Sequence, residues 1–305
     1  LEFLAAVLAV WQHDAAAVLL DAADPRAPRV DLAQRFGAIA LCTDGREPLG
    51  FDPAGAAAAG ELAAIKLTSG STGEPQGIGV GAAELLADAT ALERSMGIGE
   101  GDRVLAAVPM SFSYGVGNLL VPALAFGRLL VLPERHPLGF LQALRQAEPT
   151  VLPAVPALLR ALLSGSLQLP PSLRLVLSAG APLAPATARA FRDRFGLPVH
   201  VFYGSTESGG ISFDRTGTAA ERGTVGTAVD GVAIDCRSDG RIVVRSPAVG
   251  RALDGSGNPQ HHTFVAADLG RLCDGELELL GRDGDLFDVG GHKVAPREVE
   301  RIIAE

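Results

Sequence analysis

Residues 68–77, Thr-Ser-Gly-Ser-Thr-Gly-Glu-Pro-Gln-Gly, directly follow the apolar run Ala63–Leu67 and combine glycines with hydroxyl-bearing side chains. Glycine lets the backbone approach an anion closely, and the hydroxyls and loop N–H groups can donate to phosphate oxygens. The P-loop of NTPases needs four residues between its glycines and then Gly-Lys-Ser/Thr, a spacing absent here. We interpret the segment as a strand, a phosphate loop and a strand, although such a loop alone also fits a flexible linker.

Five further segments follow the loop along the chain, and each has a distinct residue pattern. In chain order they are Leu177–Leu183 (LSAGAPL), Tyr203–Glu207 (YGSTE), Ala267–Gly270 (ADLG), Gly281–Gly291 and Val294–Glu300. Together with the loop, they resemble the ordered motifs of the adenylate-forming superfamily, which includes acyl- and aryl-CoA synthetases, peptide-synthetase adenylation domains and luciferases. The resemblance covers nearly the whole chain, so a chance order is implausible.

The resemblance implies a two-step reaction that uses ATP and Mg²⁺. A carboxylate attacks the α-phosphorus of ATP, pyrophosphate leaves, and a thiol of coenzyme A or of a carrier protein's phosphopantetheine arm captures the acyl-adenylate. The protein must then position two anions and stabilise a phosphoryl transition state. The expected catalytic residues are Glu207, which would hold Mg²⁺, Thr206, which would donate to the α-phosphate, and Arg282, which would add positive charge near the ribose and α-phosphate.

The same resemblance implies a set of nucleotide contacts, with Tyr203 against the adenine and Asp268 accepting from the ribose hydroxyls. The expected contacts are Thr68, Ser69, Gly70, Ser71, Thr72, Gly73 and Gln76 in the loop, Ala179, Gly180, Ala181 and Pro182 along the adenine, and Tyr203, Gly204 and Asp268. Taken singly, each has a simpler explanation, such as a core aromatic ring or a solvated carboxylate. Their common order favours the nucleotide site.

The segment 112–118, Phe-Ser-Tyr-Gly-Val-Gly-Asn, resembles that of benzoate-type aryl-CoA ligases, and no aspartate lies in 108–115 to pair with a substrate ammonium. An α-amino acid is therefore not the expected substrate. The expected acid-binding residues are Phe112, Tyr114, Gly115 and Gly210. A helix start with Phe112 in the core is the alternative. The glycines after Ser208 leave room for a longer acyl chain, so an aryl and a fatty acid both stay open.

Two departures from the family pattern favour alternatives to a fully active ligase. Gln76 stands where the family has a lysine, which forfeits a charged hydrogen bond of about 1.5–3 kcal/mol, or roughly ten- to a hundredfold in rate. Asp288 replaces the usual hinge lysine, and the sequence stops at Glu305, where relatives continue into a mobile C-terminal subdomain. A trimmed and a naturally reduced protein both fit. The alternatives are a degenerate, non-catalytic nucleotide-binding module and a half-enzyme that needs another polypeptide for the second step.

Composition supports a globular enzyme, and the resemblance implies a small carboxylic acid and coenzyme A or an acyl carrier protein as its partners. The 305 residues are 48% hydrophobic, enough for a large core, and the net charge of −9 argues against nucleic acid. The three cysteines, Cys42, Cys236 and Cys273, lack metal spacing and are expected to be reduced thiols. Polar residues interrupt the apolar opening, so no membrane insertion is expected. Without a charged leader, we expect a cytoplasmic protein.

Short apolar runs alternate with stretches of helical period, which predicts an α/β fold with helices packed on largely parallel sheets. Short strands divided by glycine, aspartate and proline follow Ser212 and predict a small β subdomain. The expected divisions are an α/β nucleotide- and acid-binding core over 1–211, the β subdomain over 212–282, and a hinge over 283–305. Helices are predicted near 2–12, 82–95, 137–147, 155–164, 184–195 and 296–304.

Overall fold

The computed structural model describes residues 1–21, 29–42, 49–50, 61–68, 76–134, 137–253, 262–283, 287–289 and 292–294. A π-helical turn, Val116–Leu120, joins two of the helices near the middle of the chain. The helices are α1 (Glu2–Gln12), α2 (Arg29–Arg35), α3 (Ala82–Met96), α4 (Ser113–Gly115), α5 (Val121–Phe126), α6 (Pro137–Gln146), α7 (Pro156–Ser164), α8 (Pro185–Phe195) and α9 (Ala219–Arg222).

Most strands are short, and the longest belongs to the C-terminal part of the described chain. They are β1 (Ala17–Val18), β2 (Ala40–Leu41), β3 (Leu49–Gly50), β4 (Leu62–Thr68), β5 (Gln76–Gly81), β6 (Arg103–Leu105), β7 (Leu129–Val131), β8 (Val151–Ala154), β9 (Leu175–Ser178), β10 (Val199–Ser205), β11 (Gly209–Phe213), β12 (Thr227–Ala228), β13 (Ala233–Cys236), β14 (Arg241–Arg245), β15 (Arg251–Ala252), β16 (Thr263–Cys273), β17 (Glu276–Arg282), β18 (Phe287–Val289) and β19 (His292–Val294).

The central sheet has seven strands in the order β12-β11-β10-β9-β8-β6-β7. Its five strands from β10 to β7 pair in parallel, whereas β11 and β12 add antiparallel. Neighbouring residues alternate between two cores: Val176 packs with helices α7 and α8, while Leu175 and Leu177 pack with α3. Helices therefore cover both faces, as parallel sheets require. The predicted α/β class is confirmed.

A second sheet, in the order β1-β4-β5-β15, contains the two strands that flank the predicted phosphate loop in the sequence. Strands β4 and β5 pair antiparallel, with Thr68 opposite Gln76 at the end where residues 69–75 connect the two strands. Helix α3 begins directly after β5, where the Glu84 side chain accepts a hydrogen bond of 2.9 Å from the Gly81 N–H. It ends at Gly97, which adopts φ +63°, a conformation that glycine tolerates. The hairpin and α3 thus form one continuous unit beside the central sheet.

The third sheet is antiparallel, in the order β13-β14-β16-β17, and buries Ile242, Val244 and Leu277. It corresponds to the region where the sequence predicted short strands. Strand β11, Gly209–Phe213, runs across the expected division at 211 and belongs to the central sheet. The division itself stays a prediction. The predicted helix over 296–304 and most of the expected hinge lie outside the described residues.

Strand β8 has no counterpart among the strands that the apolar runs predict, near 16–20, 38–42, 63–68, 103–108, 129–132, 174–178 and 199–203, and it contains Pro153. Proline cannot donate to a sheet ladder, so it argues against a central strand. The structure nevertheless places Val151–Ala154 between β6 and β9, with Pro153 opposite Leu177. None of the helices in the described part of the chain combines the length and the apolar character needed to span a membrane.

Candidate functional site

The β4–β5 hairpin brings two expected nucleotide contacts to one place. Thr68 and Gln76 are opposite each other in the ladder and both are partly buried. Directly paired residues of antiparallel strands project to the same face. These two side chains therefore lie on one face at the loop end of the hairpin, which we call its mouth. The loop contacts Ser69, Gly70, Ser71, Thr72 and Gly73 lie outside the described residues, so their roles stay predictions.

The expected adenine segment begins where β9 ends. Ala179 is buried, whereas Gly180, Ala181 and Pro182 are exposed at the carboxyl end of the strand. Gly180 has φ +80°, a conformation that side-chain-bearing residues rarely adopt. Ligands of open α/β sheets bind outside the carboxyl ends of parallel strands, and this segment lies at that edge.

Tyr203, Asp268 and Arg282 come together from three strands. The Tyr203 hydroxyl donates to Asp268 Oδ2 at 2.7 Å, and Arg282 Nε donates to Asp268 Oδ1 at 2.9 Å. Asp268 and Arg282 are cross-strand partners in β16 and β17. Burial, and next the negative charge of Asp268, raise the pKa of Tyr203, while the hydrogen bond to Asp268 raises the pKa of Arg282. The Asp268 carboxylate is therefore held from two sides.

The turn with Thr206 and Glu207 connects β10 to β11 and directly follows the end of β10 that carries Tyr203. A bulge between Tyr203 and Gly204 precedes it, and a β-carbon on Gly204 would lie 2.7 Å from the Gly209 carbonyl oxygen. The turn is tied to the second sheet, because Gly250 N–H donates to the Glu207 carbonyl at 2.8 Å. Glycine at 204 is thus needed for the turn that presents Glu207.

The charge of Glu207 reaches three groups: Tyr203, Arg282 and a lysine in β4, Lys66. Glu207 therefore lies between the hairpin and the group formed by Tyr203, Asp268 and Arg282, which we call the Asp268 cluster. No three His, Cys, Asp or Glu side chains converge as metal ligands in the described ranges. Mg²⁺ commonly uses one or two carboxylates and completes its shell with water and phosphate oxygens, so a lone Glu207 near strand β4 fits this ion.

Lys66 and Asp88 are buried charged residues that the motifs did not single out. Lys66, in β4, is 4% exposed and Asp88, in α3, is 9% exposed. Burial lowers the pKa of Lys66, and the charges of Asp88 and Glu207 oppose that effect. Burial also raises the pKa of Asp88, against the charge of Lys66 and a hydrogen bond from the Gly210 N–H. A lysine inside an apolar strand, in a chain with only two lysines, was the available signal.

The expected acid segment is only partly buried. Phe112 is 43% exposed, which contradicts the alternative that placed it in the core. The Tyr114 ring packs against Phe202 with centroids 5.6 Å apart, and burial raises the pKa of Tyr114 with the Ala154 backbone opposing. Gly115 is needed for packing, because a β-carbon there would overlap the Pro109 carbonyl. Tyr114 is therefore the aromatic side chain of this segment that points inward.

A model of the family described as AMP-binding enzyme matches residues 31–252 of the chain. The chain belongs to the AMP-binding enzyme family. This finding confirms the resemblance to the adenylate-forming superfamily that the motifs indicated. The match includes the β4–β5 hairpin, α3, Tyr203 and the Thr206–Glu207 turn, and it ends before Asp268 and Arg282.

Curated relatives of this AMP-binding enzyme are CoA ligases. A 4-hydroxybenzoate–CoA/benzoate–CoA ligase of Rhodopseudomonas palustris is 32% identical over 212 residues, covering 62% of this chain and 39% of that protein. A 2-succinylbenzoate–CoA ligase of Bacillus cytotoxicus is 30% identical over 265 residues, covering 80% of this chain and 54% of that protein. The chain spans about half, or less, of the length of these relatives.

Solved structures agree with the fold of this AMP-binding enzyme. The o-succinylbenzoate CoA synthetase of Bacillus subtilis in complex with its acyl-adenylate intermediate gives a TM-score of 0.85 at 26% identity, covering 99% of this chain and 70% of that one. The same synthetase with ATP and magnesium ion gives a TM-score of 0.85 at 25% identity, with 99% and 71% covered. Together with the parallel central sheet, these matches confirm the adenylate-forming fold.

Proposed function

We propose that the chain activates a carboxylic acid with ATP, forming an acyl-adenylate, and passes the acyl group to a thiol. The main support for this proposal is the Asp268 carboxylate, which Tyr203 and Arg282 hold by hydrogen bonds while the charge of Glu207 acts on the same cluster. In this arrangement Asp268 would accept from the ribose, Arg282 would supply a cation and Glu207 would hold the metal ion. These are the groups that a nucleotide and its phosphates require.

Residues of the chain itself would bind and orient the adenosine part of ATP. A carboxylate group has about four lone-pair positions, and Asp268 uses one on each oxygen for Tyr203 and Arg282. One acceptor position per oxygen is left for the two ribose hydroxyls. Arg282 is mostly exposed, so its remaining N–H groups can also donate to the α-phosphate. The segment 179–182 would lie along the adenine.

On the phosphate side, Thr206 would donate to the α-phosphate and Glu207 would hold Mg²⁺. The ion, when bound, would neutralise charge on the phosphates while pyrophosphate leaves. Thr68 and the loop N–H groups would position the outer phosphates. Acceleration would come mainly from positioning the acid carboxylate and ATP together rather than from a covalent enzyme intermediate.

The acid is proposed to be an aryl or fatty acid. The support is the inward-facing Tyr114 against Phe202 and the names of the relatives, which include benzoate, 2-succinylbenzoate and sulfoacetate CoA ligases. Those names also favour coenzyme A as the acceptor over the phosphopantetheine arm of a carrier protein. A cytoplasmic location is part of the proposal, supported by free thiols at Cys42, Cys236 and Cys273.

A non-catalytic nucleotide-binding module is the second candidate. The observation that favours it is Gln76 at the mouth of the hairpin, where a neutral amide replaces the lysine of the family motif. Such a module would bind nucleotide through the Asp268 cluster without releasing pyrophosphate.

Acid-dependent pyrophosphate release, measured beside AMP binding by calorimetry, separates the two candidates. We expect pyrophosphate release with benzoates or short fatty acids. In Glu207→Gln, the rate of this release should fall by about tenfold or more. The matched control is Glu100→Gln, because Glu100 is an exposed glutamate after α3. AMP binding without release for any acid would favour the non-catalytic module. Absence of binding at millimolar AMP would overturn both.

A further inference from the structure

Three glycines from the two candidate acid segments converge on one face of α3. A β-carbon on Gly117 would lie 2.7 Å from Asp88 Oδ2 and 3.0 Å from Leu92 Cδ1, and one on Gly210 would lie 2.6 Å from Leu92 Cδ2. A β-carbon on Gly209 would overlap the Asp88 carboxylate. Asp88 and Leu92 are four residues apart, so they share a helix face. The space that these glycines leave is therefore filled from α3.

The Asp88 side chain is fixed in that position. Its Oδ1 accepts a hydrogen bond of 2.8 Å from the Gly210 N–H, and the buried Lys66 ammonium attracts it. Leu92 is likewise buried, at 2% exposed, in the cluster that holds Phe202 and Tyr114. Neither side chain can leave without moving a packed neighbour.

We propose that Asp88 and Leu92 form the end wall of the acid pocket and limit the substrate to short or single-ring acids. The inference rests on the proposed function and on the two glycine-bearing segments as parts of the pocket. It replaces the expectation that Gly209 and Gly210 leave room for a longer chain. The wall has a polar part at Asp88 and an apolar part at Leu92, and Leu92 is the part whose removal creates space.

The test uses sulfamoyl-adenosine mimics of the acyl-adenylate, which bind without turnover, carrying acetyl, butyryl, benzoyl, octanoyl and decanoyl groups. We expect the unaltered chain to bind the butyryl and benzoyl mimics more tightly than the decanoyl mimic. Leu92→Ala removes three carbons from the wall. Each newly buried methylene is worth about fourfold in affinity, so the octanoyl and decanoyl mimics should gain about tenfold or more relative to butyryl.

Leu85→Ala is the matched control, since Leu85 lies in the same helix but packs in the separate cluster with Val7 and Ile78. It should leave the order of the mimics unchanged. If Leu92→Ala fails to fold, Leu92→Val removes one carbon and should give a smaller shift in the same direction. An unchanged order in the Leu92 variants, or an equal change in Leu85→Ala, overturns the wall. Failure of AMP itself to bind would instead overturn the proposed function, and the wall with it.

Discussion

Removing the Asp268 carboxylate should weaken nucleotide binding through the loss of two ribose contacts. In Asp268→Ala, the acceptor positions left beside Tyr203 and Arg282 disappear. A hydrogen bond to a charged group contributes about 1.5–3 kcal/mol. One such bond corresponds to roughly ten- to a hundredfold or more in Kd. We therefore expect AMP to bind at least tenfold more weakly, with the upper end reached if both ribose hydroxyls bond.

Calorimetry with two ligands isolates that contact. AMP carries both ribose hydroxyls, whereas 2′,3′-dideoxy-AMP carries neither. Asp268→Ala should weaken AMP strongly and change the dideoxy ligand much less, because only AMP loses hydrogen bonds. Asp268→Asn keeps one acceptor oxygen but no charge, so its affinity for AMP should lie between those of the unaltered chain and Asp268→Ala.

Asp283→Ala is the matched control, because Asp283 lies one residue beyond Arg282 and pairs with Arg241 instead of with Tyr203. We expect its Kd for AMP to stay within about threefold of the unaltered chain, since exposed ion pairs contribute little. Thermal unfolding of each variant checks that the fold is kept. Equal losses in the two alanine variants, or equal losses for the two ligands, would contradict the ribose assignment.

Three further perturbations follow from other contacts. Gln76→Lys should raise acyl-adenylate formation about tenfold, measured by pyrophosphate release, by returning a charged contact to the outer phosphates; an unchanged rate would favour the non-catalytic module. Burial alone would raise the pKa of Asp102, but hydrogen bonds from Arg174 outweigh this effect and lower the pKa from 3.8 to about 2. Asp102 therefore stabilises the fold above pH 3.8, and this stabilisation is lost as the pH falls towards 2. Asp102→Asn should therefore cost about 1–2 kcal/mol at pH 7, after allowance for the exposed Arg174, and almost nothing at pH 2 in chemical denaturation. Asp88→Ala should cost about 3–5 kcal/mol by leaving Lys66 buried without its partner, and Lys66→Met should recover part of this loss in the double variant.

Local patterns in the sequence were sufficient for the elements that flank the site. The glycine-rich loop predicted the two strands on either side of it, and β4 and β5 lie there. Helix α3 was predicted from its period and extends over Ala82–Met96. Strand β8 was missed, because Pro153 is unfavourable by local rules and is accommodated only by the strands on both sides.

The Asp268 cluster was predicted residue by residue, but its internal hydrogen bonds were not. The motifs assigned Tyr203 to the adenine and Asp268 to the ribose as separate contacts. Their hydrogen bond joins positions 65 residues apart, so it depends on how β10 approaches β16. The contact between Asp88 and Gly210 spans 122 residues. No local period encodes such pairs, and for that reason the sequence did not reveal the wall on α3.

The charges around the candidate site explain why a neutral residue at position 76 matters. Among the described residues of the site, the basic side chains are Lys66 and Arg282, and the acidic side chains are Asp88, Glu207 and Asp268. Lys66 is buried within strand β4 of the hairpin and interacts with the charge of Asp88, so it offers little charge to phosphates at the mouth. Arg282 is already bonded to Asp268. Neutralisation of the outer phosphates would therefore rest on Mg²⁺ held by Glu207, and an added cation at Gln76 would act where the described site supplies none.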